Sequence, residues 1–181
     1  MNRLGIWFLF PLFAMACSFS YDTYYQNNDD PNLIMENAEY VRIINGNPEI
    51  MVNAEEIRQY EAKHAMELDT ISFEQYNPAP EGQKEIPGIN ARGKATAAHI
   101  ETDTRNAYIS GGVSLEVVSE DFLLETDEIS WQDDERLLNA PGSVHINRSD
   151  GTTLKGTGFS ADVRRRSWEF ASEIEGSVVE D

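Results

Sequence analysis

Short apolar segments alternate with turn residues throughout residues 122–170, and this pattern constrains the fold more than any other feature of the chain. Each segment ends in a turn made of Asp, Gly, Asn or Pro. The aromatic residues lie within the segments and not in the turns: Phe122, Trp131, Phe159, Trp168 and Phe170. Such spacing is typical of consecutive β-hairpins laid side by side. The sequence therefore predicts an all-β chain of stacked antiparallel hairpins with an apolar inner surface.

A small residue three positions before a large apolar residue recurs along the chain. The pairs are Ala54 and Ile57, Ala97 and Ile100, Thr126 and Ile129, and Gly156 and Phe159. The last three pairs start about thirty residues apart, and a fixed period of this kind indicates stacked supersecondary units. Within residues 124–131 the apolar alternation changes phase between Thr126 and Ile129. This shift predicts a bulge that bends every strand at the same place and gives a curved trough.

The first half of the chain contains one ambiguous segment, residues 54–68. It is rich in helix-forming residues, so a helix is one interpretation, but the repeat favours strands and we predict strands. The Asn-Gly pair at 45–46 predicts a tight hairpin turn. Residues 77–90 carry three prolines and two glycines and are predicted to be a loop. The glycine pair at 111–112 predicts a bulge or sharp bend.

The N-terminal residues read MNRLGIWFLFPLFAMAC, with Arg3 before an apolar run that ends at Cys17. The run is about a dozen residues long, whereas a transmembrane helix needs about 20. The segment resembles a bacterial lipoprotein signal, which is cleaved before a cysteine that is then acylated. Cys17 is the predicted lipidation site, and an ordinary signal peptide with a chance cysteine is the alternative. The predicted organisation is a signal peptide over residues 1–16, a lipidated cysteine and polar tether over 17–34, and one β-domain over 35–181.

Charge and composition exclude several classes of function. The chain has 32 acidic and 14 basic residues, a formal net charge of −18. Because such a surface repels phosphates, we predict no nucleic-acid partner. The single cysteine excludes an internal disulfide and a cysteine-based metal cluster.

No catalytic or metal-binding motif stands out in the sequence. The three histidines are separated and lack the spacing of metal ligands: His64, His99 and His145. The acidic segments 133–135 and 149–151 could bind calcium, and residues 164–166 could meet a lipid phosphate. Hairpin turns favour the same residue types, and we interpret all three segments as turns. We therefore predict no enzymatic activity, no metal and no cofactor.

Three motifs, in order along the chain, resemble the LptC branch of the lipopolysaccharide-export family. They are GVSL at 112–115, LETDEISW at 124–131 and LKGTGFSAD at 154–162. The resemblance extends over about residues 36–174 and implies a twisted, open β-jelly roll in the periplasm. It also implies an apolar interior that accepts lipopolysaccharide acyl chains from an inner-membrane ABC transporter. Edge-to-edge contact would then pass the lipid to an LptA-like β-jelly-roll protein.

The resemblance assigns roles to apolar residues that periodicity alone would place in a closed core. Ten residues are predicted to line a lipid groove: Ile100, Val113, Leu115, Leu124, Ile129, Trp131, Val144, Ile146, Phe159 and Trp168. The last strand, predicted over residues 167–174, would offer its edge to the downstream partner through Trp168, Phe170 and Ile174. Strands near residues 40–44 would face the transporter.

We therefore expect a periplasmic lipid-transfer component that performs no chemistry of its own. Many members of the family use a transmembrane helix as their anchor, whereas here lipidated Cys17 would take that role, with the inner membrane favoured. The alternative is a structural or adhesive surface lipoprotein built on a β-repeat.

Overall fold

The computed structural model describes residues 29–78 and 88–177, which fold into one all-β sheet. Its strands are β1 (Leu33–Ile44), β2 (Asn47–Tyr60), β3 (Ala65–Tyr76), β4 (Ile89–Glu101), β5 (Ala107–Val117), β6 (Phe122–Gln132), β7 (Leu137–Arg148), β8 (Thr153–Asp162), β9 (Ser167–Phe170) and β10 (Glu175–Ser177). Short 3₁₀ turns occupy Glu61–Lys63 and Val118–Glu120. Among these residues, no helix has the length and apolar character needed to cross a bilayer.

Every strand from β1 to β8 pairs antiparallel with its neighbour in the chain. The last two strands, β9 and β10, both pair with β8, at residues 159–162 and 153–155 respectively. Within the described residues β1 pairs with β2 alone, so the sheet does not close on itself. The predicted all-β fold, an open β-jelly roll of antiparallel hairpins, is confirmed.

Residues 54–68 form strands, as predicted, and the helix alternative is wrong. The segment belongs to β2 and β3, which are joined by the Glu61–Lys63 turn. Intrinsic helix preference is worth at most about 0.7 kcal/mol per residue among ordinary residues. Here it is outweighed by the β2–β3 ladder and by burial of Ile57 and Leu68, which are 1% and 2% exposed.

The predicted turn at residues 45–46 is also confirmed. Asn45 and Gly46 both have positive φ, 52° and 82°. Two consecutive residues of this kind form the hairpin turn whose twist matches that of the flanking strands.

One line of irregular pairing crosses the sheet through the middle of β1–β8, and we call it the bend line. In β1–β4 the ladder omits residues 37, 55, 70 and 96. In β4–β8 the register shifts at 94–97, 110–113, 126–130 and 140–143. The bulge predicted from the phase change in β6 is therefore present, and it recurs in neighbouring strands.

The predicted bulge at Gly111 and Gly112 lies on the bend line, where both residues have positive φ. A Cβ on Gly111 would lie 2.6 Å from the Cβ of Thr96. The Thr96 hydroxyl donates a hydrogen bond to the Gly111 carbonyl at 2.7 Å. Gly111 is therefore required both for its backbone conformation and for the close approach of β4.

The inner face of the sheet is built from rows of side chains in register across the strands. On one side of the bend line a row contains Met35, Ile57, Leu68, Ala98, Ile109 and Ile129 and, after the register shift between β6 and β7, Ala140, Phe159 and Phe170. On the other side a row contains Tyr40, Val52, Phe73, Gly93, Leu115, Leu124, Ile146, Leu154 and Gly176.

Residues from both sides of the bend line belong to a single buried cluster. Leu124 on one side and Ile129 on the other are 1% and 3% exposed. One face of a sheet in water could not bury its side chains so completely, so the two halves must cover each other. We call this folded inner surface the trough.

The repeat is shifted by two residues in β4 relative to the prediction. The buried pair is Ala95 and Ala98, whereas Ala97 lies on the outer face in register with Asp69. The prediction was wrong here because both inner residues of β4 are alanines. Small side chains leave no large-residue signal in the sequence. Ile100 does lie on the inner face, but it was wrongly taken as the large residue of the repeat in place of Ala98.

Gly93 provides a test of the packing in the trough. A Cβ at this position would lie 2.7 Å from the Phe73 ring and 2.8 Å from the Ser114 carbonyl oxygen. We expect Gly93→Ala to lower the free energy of unfolding by about 1–3 kcal/mol, because the ring and the backbone must both shift. Urea denaturation measures the effect.

Gly142 is the matched control for this substitution. It lies in β7, and an added Cβ would meet no atom within 4 Å. Gly142→Ala should change the free energy of unfolding by no more than about 0.5 kcal/mol. Equal unfolding midpoints for the two variants would contradict the packing of Phe73 over Gly93.

Candidate functional site

All ten residues predicted to line a groove lie on the inner face of the trough. Seven of them are buried, with exposed fractions of at most 7%: Val113, Leu115, Leu124, Ile129, Val144, Ile146 and Phe159. Ile100 and Trp131 are half-buried, and Trp168 is 51% exposed. The sequence therefore identified residues that the fold brings together from β4 to β9.

The sequence analysis missed the N-terminal half of the same surface. Strands β2–β4 contribute further buried residues, namely Val52, Ile57, Leu68, Ile71, Ala95 and Ala98. The spacing of Ala54 and Ile57, a small residue three positions before a large apolar one, could have identified this part of the surface. The same spacing occurs in β6 and β8. The alanines of β4 carried none, because alanine occurs as readily on exposed surfaces.

An aromatic cluster occupies the C-terminal edge of the trough. The ring centroids of Phe159 and Phe170 are 5.2 Å apart, and Trp168 lies 6.1 Å from each of them. Phe170 covers Gly156, where an added Cβ would lie 2.5 Å from the ring. Because Trp168 is half exposed, the apolar inner surface reaches solvent at this edge.

The predicted C-terminal strand, residues 167–174, is interrupted in the structure. β9 ends at Phe170, and Ile174 lies between β9 and β10 with 43% of its surface exposed. The Ala171 amide donates to the carbonyls of Thr157 and Gly158, at 3.2 and 3.0 Å. These hydrogen bonds draw the chain toward the bulge in β8 and end the regular ladder.

The opposite edge, β1, also exposes apolar side chains. Leu33, Ile34, Ile43 and Ile44 are 45–62% exposed. Met35 and Ala38 on the same strand pack against the buried cluster. Both ends of the sheet therefore combine backbone groups without a ladder partner, among the described residues, with exposed apolar side chains.

Strands carry charged and polar residues on the outer face of the sheet. Arg58 donates to Asp69 and Glu56, and these hydrogen bonds raise the pKa of Arg58. The Tyr108 hydroxyl donates to Glu128, which raises the pKa of Tyr108. Since the outer face is polar and ion-paired, the inner face is the part of the sheet suited to an apolar ligand.

Asp133 is the one buried acidic residue among the described residues, with 8% of its surface exposed. Its carboxylate pairs with Arg105 at 2.6 Å and with Arg136 at 3.3 Å. Trp131 Nε1 donates to the same carboxylate at 3.3 Å, and the Asp133 amide donates to Asn106 Oδ1 at 3.1 Å. The residue was identified only as a turn residue, because Arg105 and Asn106, two of its four partners, come from the neighbouring turn.

The other polar segments singled out in the sequence form hairpin turns, as predicted. Residues 133–136, 149–151 and 163–166 each connect two strands. In the second turn the Thr152 amide donates to Asp150 Oδ1 at 2.7 Å, which lowers the pKa of Asp150. Over residues 29–78 and 88–177, no three His, Cys, Asp or Glu side chains are arranged to hold a metal ion.

None of the three histidines faces the interior of the trough, and His145 lies on a strand that contains neither of the other two. His64 follows the turn between β2 and β3, and His99 faces the outer side of β4 near it. Both line an outer pocket of about 440 Å³. His145 is exposed on β7. Cys17, the predicted lipidation site, lies outside the described residues.

Comparison with known protein families gives one match that covers nearly the whole chain. The family model described as "Lipopolysaccharide-assembly, LptC-related" matches residues 8–179. No curated protein gave a match to the chain. The matched range includes every strand of the trough and both of its edges. This chain belongs to the LptC-related family of lipopolysaccharide-assembly proteins.

Proposed function

We propose that this protein is a periplasmic lipid-transfer component of lipopolysaccharide export. It accepts the lipid from an inner-membrane ABC transporter and passes it to an LptA-like β-jelly-roll protein. Membership of the family supports a role in lipopolysaccharide transport. The shape and chemistry of the sheet support the finer assignment, in which acyl chains are held in the trough and passed along it.

The observation that carries this proposal is the continuity of the apolar rows across the sheet. Inner side chains line up from β1 to β9, with one register shift between β6 and β7. The apolar surface reaches half-buried Met35 at one edge and half-buried Phe170 with half-exposed Trp168 at the other. An acyl chain moving along the trough would meet apolar atoms at each step. Such a path favours sliding of the acyl chain, because the chain does not have to displace water from a polar side chain at any one position.

The two halves of the trough can separate to admit acyl chains. In the described residues no backbone ladder joins strands across the trough, since every pairing is between neighbouring strands or with β8. Each strand from β1 to β8 continues from one half to the other through the bend line, and across the interior the halves are in contact through side chains alone. Acyl chains that enter would replace apolar contacts with apolar contacts, so the exchange costs little burial energy.

The open edges suit transfer between similar modules. Unpaired strand edges favour aggregation unless they are protected or used. Addition of a partner strand at β9 and β10 would extend the sheet and align the trough with that of the next protein. β1 would meet the transporter side in the same way.

The apolar interior of the trough is directly testable by photocrosslinking. Benzoylphenylalanine replaces Phe159 or Ile129 on the inner face, and Tyr108 on the outer face serves as the control. We expect lipopolysaccharide adducts in cells at the first two positions, because both lie in the inner row that would contact acyl chains. Gel mobility with lipopolysaccharide-specific detection reports the adducts.

Tyr108 is a matched control because it is aromatic, lies on β5, and is 45% exposed on the polar face. Adducts of equal intensity at Tyr108 and Phe159 would contradict a lipid path through the trough. Absence of adducts at both inner positions, in a variant that still folds, would do the same.

Docking at the C-terminal edge predicts a second pattern of crosslinks. Probes at Trp168 and Ile174 should capture another β-jelly-roll protein, because both side chains are exposed beside the unpaired edge. A probe at Glu120, in the turn between β5 and β6, should not. Mass spectrometry of the adducts identifies the partner, and capture at Glu120 alone would place docking elsewhere.

Lipidation of Cys17 is the proposed means of anchoring. Two or three acyl chains, each contributing about 0.8 kcal/mol per buried CH₂, hold a protein firmly at a bilayer. We expect Cys17→Ser to move the protein from the membrane fraction to the soluble fraction. Ser18→Ala is the control and should stay with the membrane, and unchanged retention of the Cys17→Ser variant would contradict a lipid anchor.

A further inference from the structure

A charged pocket of about 280 Å³ lies where two parts of the sheet rim meet. Its lining includes four arginines: Arg42, Arg105, Arg136 and Arg164. They come from the β1–β2, β4–β5, β6–β7 and β8–β9 hairpins respectively. The lining also contains three carboxylates, from Glu49, Asp133 and Asp134.

The pocket joins opposite ends of the strands. The β1–β2 turn lies at one end of the sheet, and the other three turns lie at the opposite end, since consecutive hairpins alternate. In a flat sheet these ends would be separated by about 40 Å, the length of a twelve-residue strand. The fold about the bend line brings them to one pocket, which therefore bridges the two lips of the trough. We call this region the mouth.

The charge of the mouth is reversed relative to the rest of the chain. The protein has 32 acidic and 14 basic residues, yet basic residues outnumber acidic ones in this pocket by four to three. At physiological salt, charges are screened over about 8 Å. A ligand in the pocket therefore responds mainly to the arginines around it and only weakly to the distant acidic surface.

Several of these guanidinium groups retain capacity for another acceptor. The Arg105 and Arg136 side chains are 56% and 41% exposed, and they share the single carboxylate of Asp133. Arg164 donates to the backbone carbonyl of Asp134. Within the described residues, no carboxylate lies close enough to Arg164 to form an ion pair. Since each guanidinium has five N–H donors, a tetrahedral oxyanion could be bound without breaking the existing pairs.

Trp131 connects the mouth directly to the trough. Its ring belongs to the inner surface, in register with Leu138. Its Nε1 donates to Asp133, and the Arg136 guanidinium lies over the ring at 5.5 Å from the centroid. Apolar and cationic surfaces therefore meet at one side chain, as a site for an amphiphile with an anionic head requires.

We propose that the mouth binds a phosphate group, as a phosphomonoester or diphosphate. The group comes either from the head of a lipid whose acyl chains occupy the trough or from free phosphate in solution. The lipid source rests on the proposed function, whereas the free-anion source does not. Arg164 has the most direct role, because it lines the pocket without a paired carboxylate among the described residues, and Arg105 assists from the β4–β5 turn.

The test uses the full chain purified from membranes in a nonionic detergent. Binding is measured for diphosphoryl lipid A, for the same lipid after enzymatic removal of its phosphates, and for inorganic pyrophosphate. We expect wild type to bind the phosphorylated lipid about fivefold more tightly than the dephosphorylated lipid, the effect of about 1 kcal/mol from exposed charge pairs.

Arg164→Gln should remove most of that difference, and Arg165→Gln is its matched control. Arg165 lies in the same turn but is 83% exposed, pairs with Asp162 and does not line the pocket. Both variants lose one positive charge, so a general electrostatic effect would weaken binding equally. Equal loss in the two variants would overturn the proposal.

The remaining outcomes separate the site from the proposed function. Equal affinity of wild type for phosphorylated and dephosphorylated lipid, with no pyrophosphate binding, overturns the phosphate site and leaves lipid transfer intact. Pyrophosphate binding that is lost in Arg164→Gln but kept in Arg165→Gln, with no binding of either lipid, supports the site and contradicts the proposed function. If pyrophosphate competes with the phosphorylated lipid but not with the dephosphorylated lipid, the result supports the headgroup phosphate as the group bound in the mouth.

Discussion

The alignment of backbone irregularities along the bend line is the constraint on which the rest of the structure depends. A bulge in one strand would only bend that strand locally. When neighbouring strands bend at the same place, the sheet folds over itself and its inner face becomes a trough. Glycines at the positions of closest approach, such as Gly111, permit both the positive φ and the short distance to the next strand.

In the part of the chain that the structure describes, the trough buries apolar residues without a second sheet or a helix to cover them. Each half covers the other, so Leu124 and Ile129 are buried although they lie on opposite sides of the bend line. Packing between the halves is made of side chains alone, while backbone hydrogen bonds run only between paired strands. Under the proposed function, this division would let the sheet remain intact when the halves separate around acyl chains.

Membership of the LptC-related family and the geometry of the sheet support each other. The inner surface is apolar from edge to edge, the outer surface is polar and ion-paired, and the edges keep backbone groups available to partner strands within the described residues. At the mouth, the folding of the sheet adds a group of arginines that no flat sheet could assemble. The same bend therefore accounts for both the apolar interior and the cationic rim.

The sequence by itself determined the hairpins, the turn at residues 45–46, the bulge at residues 111–112, and the bend predicted from the phase change between Thr126 and Ile129. These features depend on neighbours in the chain, so local spacing reveals them. The alanines of β4, the break after Phe170 and the burial of Asp133 were not predicted, because each depends on contacts with another strand or turn. Only the tertiary structure decided that Arg42 and Arg164 share one pocket. They lie at opposite ends of the strands, and folding along the bend line is the physical reason that they meet.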